Sequence, residues 1–191
     1  LTNPKNCLIA IKERKLNYAY LIIEKFSYVT QSAKANILIE YNKKMENYLN
    51  ENTHNFDGFY GERIAQNRQL DYCYELLKKD KDTRRAVITI HNYIDKRESN
   101  DIACTLNFQF LLRNDKLNMI VNMRSNDVIY GFCLDVPSFC FIQEILASWL
   151  NVKIGKYVYF PLQCQPEESI DTQSLYFSNQ LEIARLTAMS L

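Results

Sequence analysis

Met123-Arg124-Ser125-Asn126-Asp127-Val128-Ile129-Tyr130-Gly131-Phe132-Cys133-Leu134-Asp135-Val136 is the stretch on which the reading of this chain turns. It sets an arginine, a hydroxyl, a carboxamide and two carboxylates beside one glycine, between an apolar strand and an apolar helix. Burying polar groups so densely is costly unless a ligand or a partner group uses them. The stretch therefore reads as part of a site, and the segments around it as the scaffold that holds it.

Immediately upstream, residues 105–112 and 117–123 alternate apolar and polar side chains, and Arg113-Asn114-Asp115-Lys116 between them has the composition of a hairpin turn. Residues 86–91 read as another strand. Downstream, 136–150 is a helix rich in Phe and Ile, followed by short strands at 158–160 and 174–177 and an amphipathic helix at 179–188. In the N-terminal half, 16–29 is apolar almost all round, which predicts a largely buried helix. Residues 35–49 and 70–78 have the pattern of amphipathic helices. Strands gathered in the second half and flanked by large apolar helices predict an α+β fold, with the sheet packed on helices.

The 191 residues suit one domain spanning 1–191, and a 47% hydrophobic content can fill a sizeable core. Basic and acidic residues number 23 and 22, so the formal charge of +1 gives no electrostatic reason to expect nucleic acid or an anionic membrane as partner. We expect no bilayer-spanning run and see no signal peptide, which points to a cytoplasmic protein. Leu1-Thr2-Asn3-Pro4 does not resemble a native start, so the termini are expected to be incomplete. Six cysteines (Cys7, Cys73, Cys104, Cys133, Cys140, Cys164) and two histidines (His54, His91) lack metal-ligand spacing, so no metal is expected. The cysteines read as reduced thiols, most of them core filler.

Several residues could carry chemistry. A nucleophilic cysteine needs thiolate character supplied by nearby cations. Cys104 opens a strand, and Asp82-Thr83-Arg84-Arg85 and Arg124 offer such cations. Most cysteines are inert, so the company of Cys104 carries this assignment. Arg84 and Arg85, if in a strand, would point to opposite faces, and their forks suit phosphate. Paired surface arginines are more often merely solvated. Arg124 and Ser125 add a guanidinium and a hydroxyl, both good phosphate ligands. Asp127 could accept from a heterocycle N–H, and Asn126 could be a simple turn residue. Gly131 permits close approach of a planar ligand or a positive φ. Glu24 within an apolar helix should be paired, ligand-facing or protonated, and a raised pKa would suit proton transfer. The bland alternative is a glutamate at the helix surface beside Lys25. Ser174 and Tyr176 share one face of a strand by period two, but with 13 tyrosines in the chain a functional one is the less common case.

Taken together and in this order, the pieces resemble the thymidylate synthase superfamily from about Asn3-Pro4 to about Glu182. The most specific segments are Tyr60-Gly61, Asp82-Thr83-Arg84-Arg85, Asp101-Ile102-Ala103-Cys104-Thr105-Leu106-Asn107-Phe108-Gln109-Phe110, Met123-Arg124-Ser125-Asn126-Asp127 and Gly131. The resemblance implies a thymidylate synthase-like fold with a mixed sheet, a homodimer joined through the sheet, and 5,10-methylenetetrahydrofolate as one-carbon donor to a pyrimidine nucleoside monophosphate. It implies that Cys104 attacks C6 of the pyrimidine and that Glu24 organises proton transfer. Tyr60 would line the cleft near Cys104. Arg124 and Ser125 would hold the nucleotide phosphate, and Arg84 and Arg85 would reach the phosphate in the partner subunit's site. Asp127 and Gly131 would contact the folate pterin, and Tyr176 and Ser174 would lie at the sugar.

Two departures from the synthase pattern sharpen the expectation. Thymidylate synthases carry an asparagine where this chain has Asp135, and that carboxamide pairs with uracil. The aspartate is similar to the residue of the family's cytidylate hydroxymethylases, and a carboxylate accepts from the cytosine amino group while repelling uracil O4. Synthases also carry a tryptophan in the helix corresponding to residues 36–45, where it shields the C5 methylene from water. This chain has none there, only Tyr41, and its single tryptophan is Trp149. The sequence therefore predicts conversion of dCMP to 5-hydroxymethyl-dCMP. The alternatives are a dUMP methylase or hydroxymethylase, a CMP hydroxymethylase, and an inactive nucleotide-binding homologue.

Overall fold

A computed structural model describes residues 16–30, 35–92, 99, 101–127, 131–162 and 164–165. The strands predicted from β-branched and aromatic alternation form its centre. β1 (Val87–Thr89), β2 (Thr105–Arg113), β3 (Lys116–Met123) and β5 (Lys153–Pro161) make a four-stranded sheet in the order β1-β2-β3-β5. The first two pairings are antiparallel and the last is parallel, so the sheet is mixed. β4 (Asn126–Asp127) and β6 (Cys164–Gln165) form a separate short parallel pair.

The β2–β3 hairpin closes as its composition predicts. Asn114 and Asp115 sit at φ 53° and 54°, the doubly left-handed geometry of a type I′ turn, which matches the twist of the strands it joins. Along β2 and β3 alternate residues are buried, including Phe108, Phe110, Leu117, Met119, Val121 and Met123. That face packs on α4 (Gln69–Lys79) through Cys73 and Leu77, and on α5 (Gly131–Leu150) through Val136, Phe139, Ile142 and Leu146. The opposite face is less covered: Leu111, Ile120 and Val158 are half-buried and Phe160 is 54% exposed.

α1 (Tyr18–Thr30), α2 (Ala35–Tyr41) and the loop around Phe56 gather a second cluster on Tyr20, Leu38 and Phe56. The single helix predicted over 35–49 is broken. After Tyr41, Asn42 takes an extended conformation, and its side chain accepts from the Lys44 N–H to start a 3₁₀ segment, Lys43–Tyr48. The asparagine competes with the helix for its own backbone, a local effect that hydrophobic periodicity does not register. A short α3 (Tyr60–Ala65) was not anticipated, since six residues are too few to show a period.

α5 begins at Gly131, five residues before the predicted start, and carries Pro137 inside it. Proline favours the first turn of a helix, which is why the sequence places the boundary near 136. The expectation that no run could span a bilayer also needs correcting. α5 is long and apolar enough by length and composition, although half of the qualifying window is buried inside the fold, as in a core helix. β5 is three times longer than the strand expected at 158–160. The strand predicted at 174–177 and the helix at 179–188 lie outside the described residues.

Candidate active site

The site lies where β2 starts and β3 and β5 end. Cys104 immediately precedes β2, and its carbonyl accepts from the Arg124 N–H at 2.9 Å, just past the end of β3. The Arg124 side chain then folds back over the same strand. Its Nε donates to the Ala103 carbonyl at 3.1 Å and its Nη2 to the Ile102 carbonyl at 2.9 Å. Two of the five N–H donors of a guanidinium are used this way, and three remain on an exposed side chain. A register shift between Thr105 and Asn107 bends β2 at this point, and the Leu106 carbonyl accepts from both Ile90 and His91 N–H groups. A bulge at this point re-aims the strand end that carries Cys104.

Among the four described free thiols, Cys73, Cys133 and Cys140 are buried and Cys104 is half-buried. Burial raises the Cys73 thiol to about 12, so it stays protonated. Burial also raises the Cys104 thiol, and Asp135 and Asp101 add to the rise, but Arg124 opposes it. The thiol thus lies within the fields of both a guanidinium and a carboxyl.

Tyr60, at the start of α3, reaches the same point. Its hydroxyl accepts from the Thr105 N–H and from Thr105 Oγ1, each at 3.2 Å. Its ring is held between Tyr28 at 6.2 Å and Phe139 at 5.9 Å. Burial raises its pKa, Asp135 adds to the rise, and hydrogen bonding to Thr105 offsets part of it.

Glu24 is on α1, opposite α5. Tyr20 Oη donates to its Oε1 at 3.0 Å, and Ser138 Oγ donates to its Oε2 at 3.4 Å. Burial pushes this carboxyl up from 4.5 to about 7, against the lowering effect of those hydrogen bonds and of Lys25. A carboxyl poised near neutrality can both take and return a proton. Asp135 lies one turn before Ser138 on α5. Burial first, and then the nearby Glu24, raise its pKa well above the ordinary carboxylate range, while a hydrogen bond from Asn126 lowers it.

Asn126 is the residue that sequence reasoning undervalued. It is 8% exposed. Its Oδ1 accepts from the Asp127 N–H at 2.7 Å, and its Nδ2 donates to Asp135 Oδ2 at 2.9 Å and to the Tyr159 hydroxyl. An Asn in a polar run resembles a turn residue, and its partners are 9 and 33 residues away, so no local pattern reveals it. Gly131 is explained by the same side chain. It has no positive φ, and a Cβ there would collide with Asn126 Oδ1. The close approach that it permits is to this carboxamide, not the positive φ that the sequence allowed for.

Cys104, Tyr60, Glu24, Arg124, Asp135 and Asn126 are thus gathered at one end of the sheet, with half-buried Ser125 and Asp127 alongside. Arg84 and Arg85 are elsewhere. Both are exposed and precede β1 rather than lying in it, so strand alternation does not govern them. The Phe110 N–H donates to the Ala86 carbonyl, six residues along β2 from Cys104, which is about 20 Å at an antiparallel rise. Ser174 and Tyr176 lie outside the described residues. Trp149 is at the far end of α5, packed edge-on to Tyr74 at 6.1 Å beside a cavity of about 690 Å³. Fourteen residues of helix, about 21 Å, separate it from Asp135. Among the described residues no cluster of His, Cys, Asp or Glu could hold a metal ion.

The chain is similar to known proteins. The chain is 33% identical over 172 residues to the deoxyuridylate hydroxymethyltransferase of Bacillus phage SP01, covering 81% of this chain and 45% of that protein. It is 35% identical over 88 residues to the deoxycytidylate 5-hydroxymethyltransferase of Enterobacteria phage T4, covering 44% of this chain and 36% of that protein. It therefore spans less than half the length of these relatives. The crystal structure of thymidylate synthase from T4 phage superposes with a TM-score of 0.71 at 20% identity, over 88% of this chain and 65% of that one, so the fold is shared. The thymidylate synthase family model matches residues 3–165, and the chain belongs to that family.

Proposed function

We propose that the protein is a hydroxymethyltransferase acting on a pyrimidine deoxynucleotide, with dCMP as substrate and 5-hydroxymethyl-dCMP as product. The observation that carries the choice of base is Asp135, a carboxyl on α5 within the electrostatic reach of Cys104 and Tyr60. A carboxyl can accept from the cytosine N4 amino group and, when protonated, donate to N3.

In this reading the Cys104 thiolate adds to C6 of the base and its electron pair moves into the ring, making C5 nucleophilic. Methylenetetrahydrofolate, when bound, supplies a one-carbon unit at the oxidation level of formaldehyde. Asp127, half-buried beside Asn126, is suited to hold a heterocycle that donates N–H. Arg124, with Ser125, would bind the nucleotide phosphate through the donors that its backbone contacts leave free. Glu24, poised near neutrality, would move the protons at the base and activate water. The C5 proton is lost as tetrahydrofolate leaves, which creates an exocyclic methylene on the base; water adding to that methylene gives the hydroxymethyl group, and the electron pair returned to the ring expels Cys104. The absence of a tryptophan from 35–48 and the distance of Trp149 both favour water as the terminal nucleophile. Arg84 and Arg85 would serve a second copy of the chain, joined through the sheet face on which Phe160 is exposed.

A dUMP hydroxymethylase is the second reading. It is favoured by relatives of that name, in Bacillus phage SP01 and Delftia phage PhiW-14, which align with 81% and 82% of this chain. Incubating the full-length protein with methylenetetrahydrofolate and each of dCMP, CMP and dUMP, and weighing the products, separates the readings. Hydroxymethyl-dCMP as main product is expected; a methylated uracil, or hydroxymethyl-dUMP alone, overturns the proposal. Cys104→Ala should abolish turnover and retain nucleotide binding. Asp135→Asn should move preference toward dUMP.

A further inference from the structure

We propose that Asn126 is a positioning residue that locks the carboxyl plane of Asp135, and that this lock, rather than the aspartate alone, fixes which pyrimidine base the site accepts. The inference rests on the reading of Asp135 as the group that meets the base.

The argument begins with the carboxamide. Its Oδ1 faces the Asp127 N–H at 2.7 Å, a group that can only donate. A flipped amide would set two donors against each other, so the orientation of Asn126 is determined. Packing reinforces it, since Asn126 is 8% exposed and only a glycine at 131 leaves room for Oδ1. Nδ2 must therefore point at Asp135 Oδ2, 2.9 Å away, with the Tyr159 hydroxyl at its other side.

A donor fixed on Oδ2 makes that oxygen an acceptor whether Asp135 is charged or protonated. Any proton on the carboxyl then resides on Oδ1. The two oxygens become inequivalent, and the base can tell them apart. Cytosine offers an acceptor at N3 and a donor at N4, so it needs Oδ1–H opposite N3 and Oδ2 opposite N4. Uracil offers a donor at N3 and an acceptor at O4, and needs the reverse. A carboxyl free to turn by half a rotation about its Cβ–Cγ bond could serve either base. One held by Asn126 serves one of them, because the wrong base leaves buried polar groups facing like partners.

The test measures the ratio of dCMP to dUMP affinity, by calorimetry on the full-length protein, together with the kcat/KM ratio. Asn126→Asp keeps the volume and removes the donor, and Asn126→Ala removes the side chain, so failure of one to fold leaves the other. The expected result is a collapse of the wild-type preference by roughly tenfold in each, carried mainly by gain of the disfavoured base. In an Asp135→Asn background Asn126 would still face the carboxamide oxygen, so Asn126→Ala should free that amide to turn and move the ratio further toward dUMP. Equal loss of both nucleotides with an unchanged ratio would show a merely structural Asn126 and overturn the inference, while leaving the proposed function standing. A wild-type preference for dUMP that Asn126→Asp relaxes would keep the lock and overturn cytosine as the substrate base. A wild-type protein that binds neither nucleotide overturns both.

Discussion

Glu24→Gln isolates the electrostatic cost of the carboxyl proposed for proton transfer. Burial moves Glu24 from 4.5 to about 7 in the folded protein. A raised folded-state pKa contributes stability that is fully present below 4.5 and is lost as pH rises through about 7. A shift of that size corresponds to about 3.5 kcal/mol at most, at roughly 1.4 kcal/mol per unit. Because the residue is not wholly buried, we expect about 1–3 kcal/mol. Glutamine imitates the protonated acid: its Oε1 accepts from Tyr20 and its Nε2 can donate to Ser138 Oγ, so the variant should be about equal to wild type at pH 4.5. By pH 8 it should be the more stable of the two. Urea denaturation of both proteins at intervals between pH 4.5 and 8 gives the difference directly. The gap should open in favour of Gln by 1–3 kcal/mol over that range. A difference that stays flat with pH would refute the reasoning, since it would mean that Glu24 ionises in the fold as easily as in the unfolded chain. Removing the Glu24 charge also lowers Asp135, because the two carboxyls repel. That would enlarge the effect and not reverse it.

Gly131→Ala should destabilise the fold by about 1–3 kcal/mol in urea denaturation, because the new methyl meets Asn126 Oδ1 and the carboxamide has no room to retreat. Arg124→Lys should weaken nucleotide binding and raise KM more than it lowers kcat: one ammonium cannot reproduce the fork that spans the Ile102 and Ala103 carbonyls while still presenting donors outward. Unchanged KM in steady-state assays would remove Arg124 from the binding role. Phe108→Ala should cost about 3–5 kcal/mol, since the ring is fully buried and packs on Phe139 at 4.8 Å.

How much of this was legible in the sequence depended on range. The strands of the hairpin could be read because their alternation and their turn are both local, and the turn adopts the expected left-handed pair. The Cys104–Arg124 proximity followed once those two strands were paired. α5 was read too short because a proline outweighed five residues whose helical conformation is set by tertiary packing. The opposite-face argument for Arg84 and Arg85 held only for residues inside a strand, and β1 begins at Val87, beyond both of them. Asn126 was missed for a different reason. Its importance lies in three polar partners held at fixed angles in a buried space, and nothing in a one-dimensional pattern distinguishes such an asparagine from one that turns a loop.

The parallel pairing of β3 with β5 imposes an order on assembly. Antiparallel neighbours joined by a two-residue turn can find one another early, whereas β5 can reach β3 only after α5 has crossed the sheet between them. Asn126 and Asp135 come before that crossing is complete, and Tyr159 arrives with β5. The strand end at Cys104 and the Arg124 hook over it can therefore form in a partly folded chain, but the Asn126 carboxamide that holds Asp135 acquires its last partner only when the final strand of the sheet docks. The hydrogen-bond set of Asn126 is in this sense the latest-maturing feature of the site, and a folding intermediate lacking β5 would hold the Asn126–Asp135 contact without its Tyr159 partner.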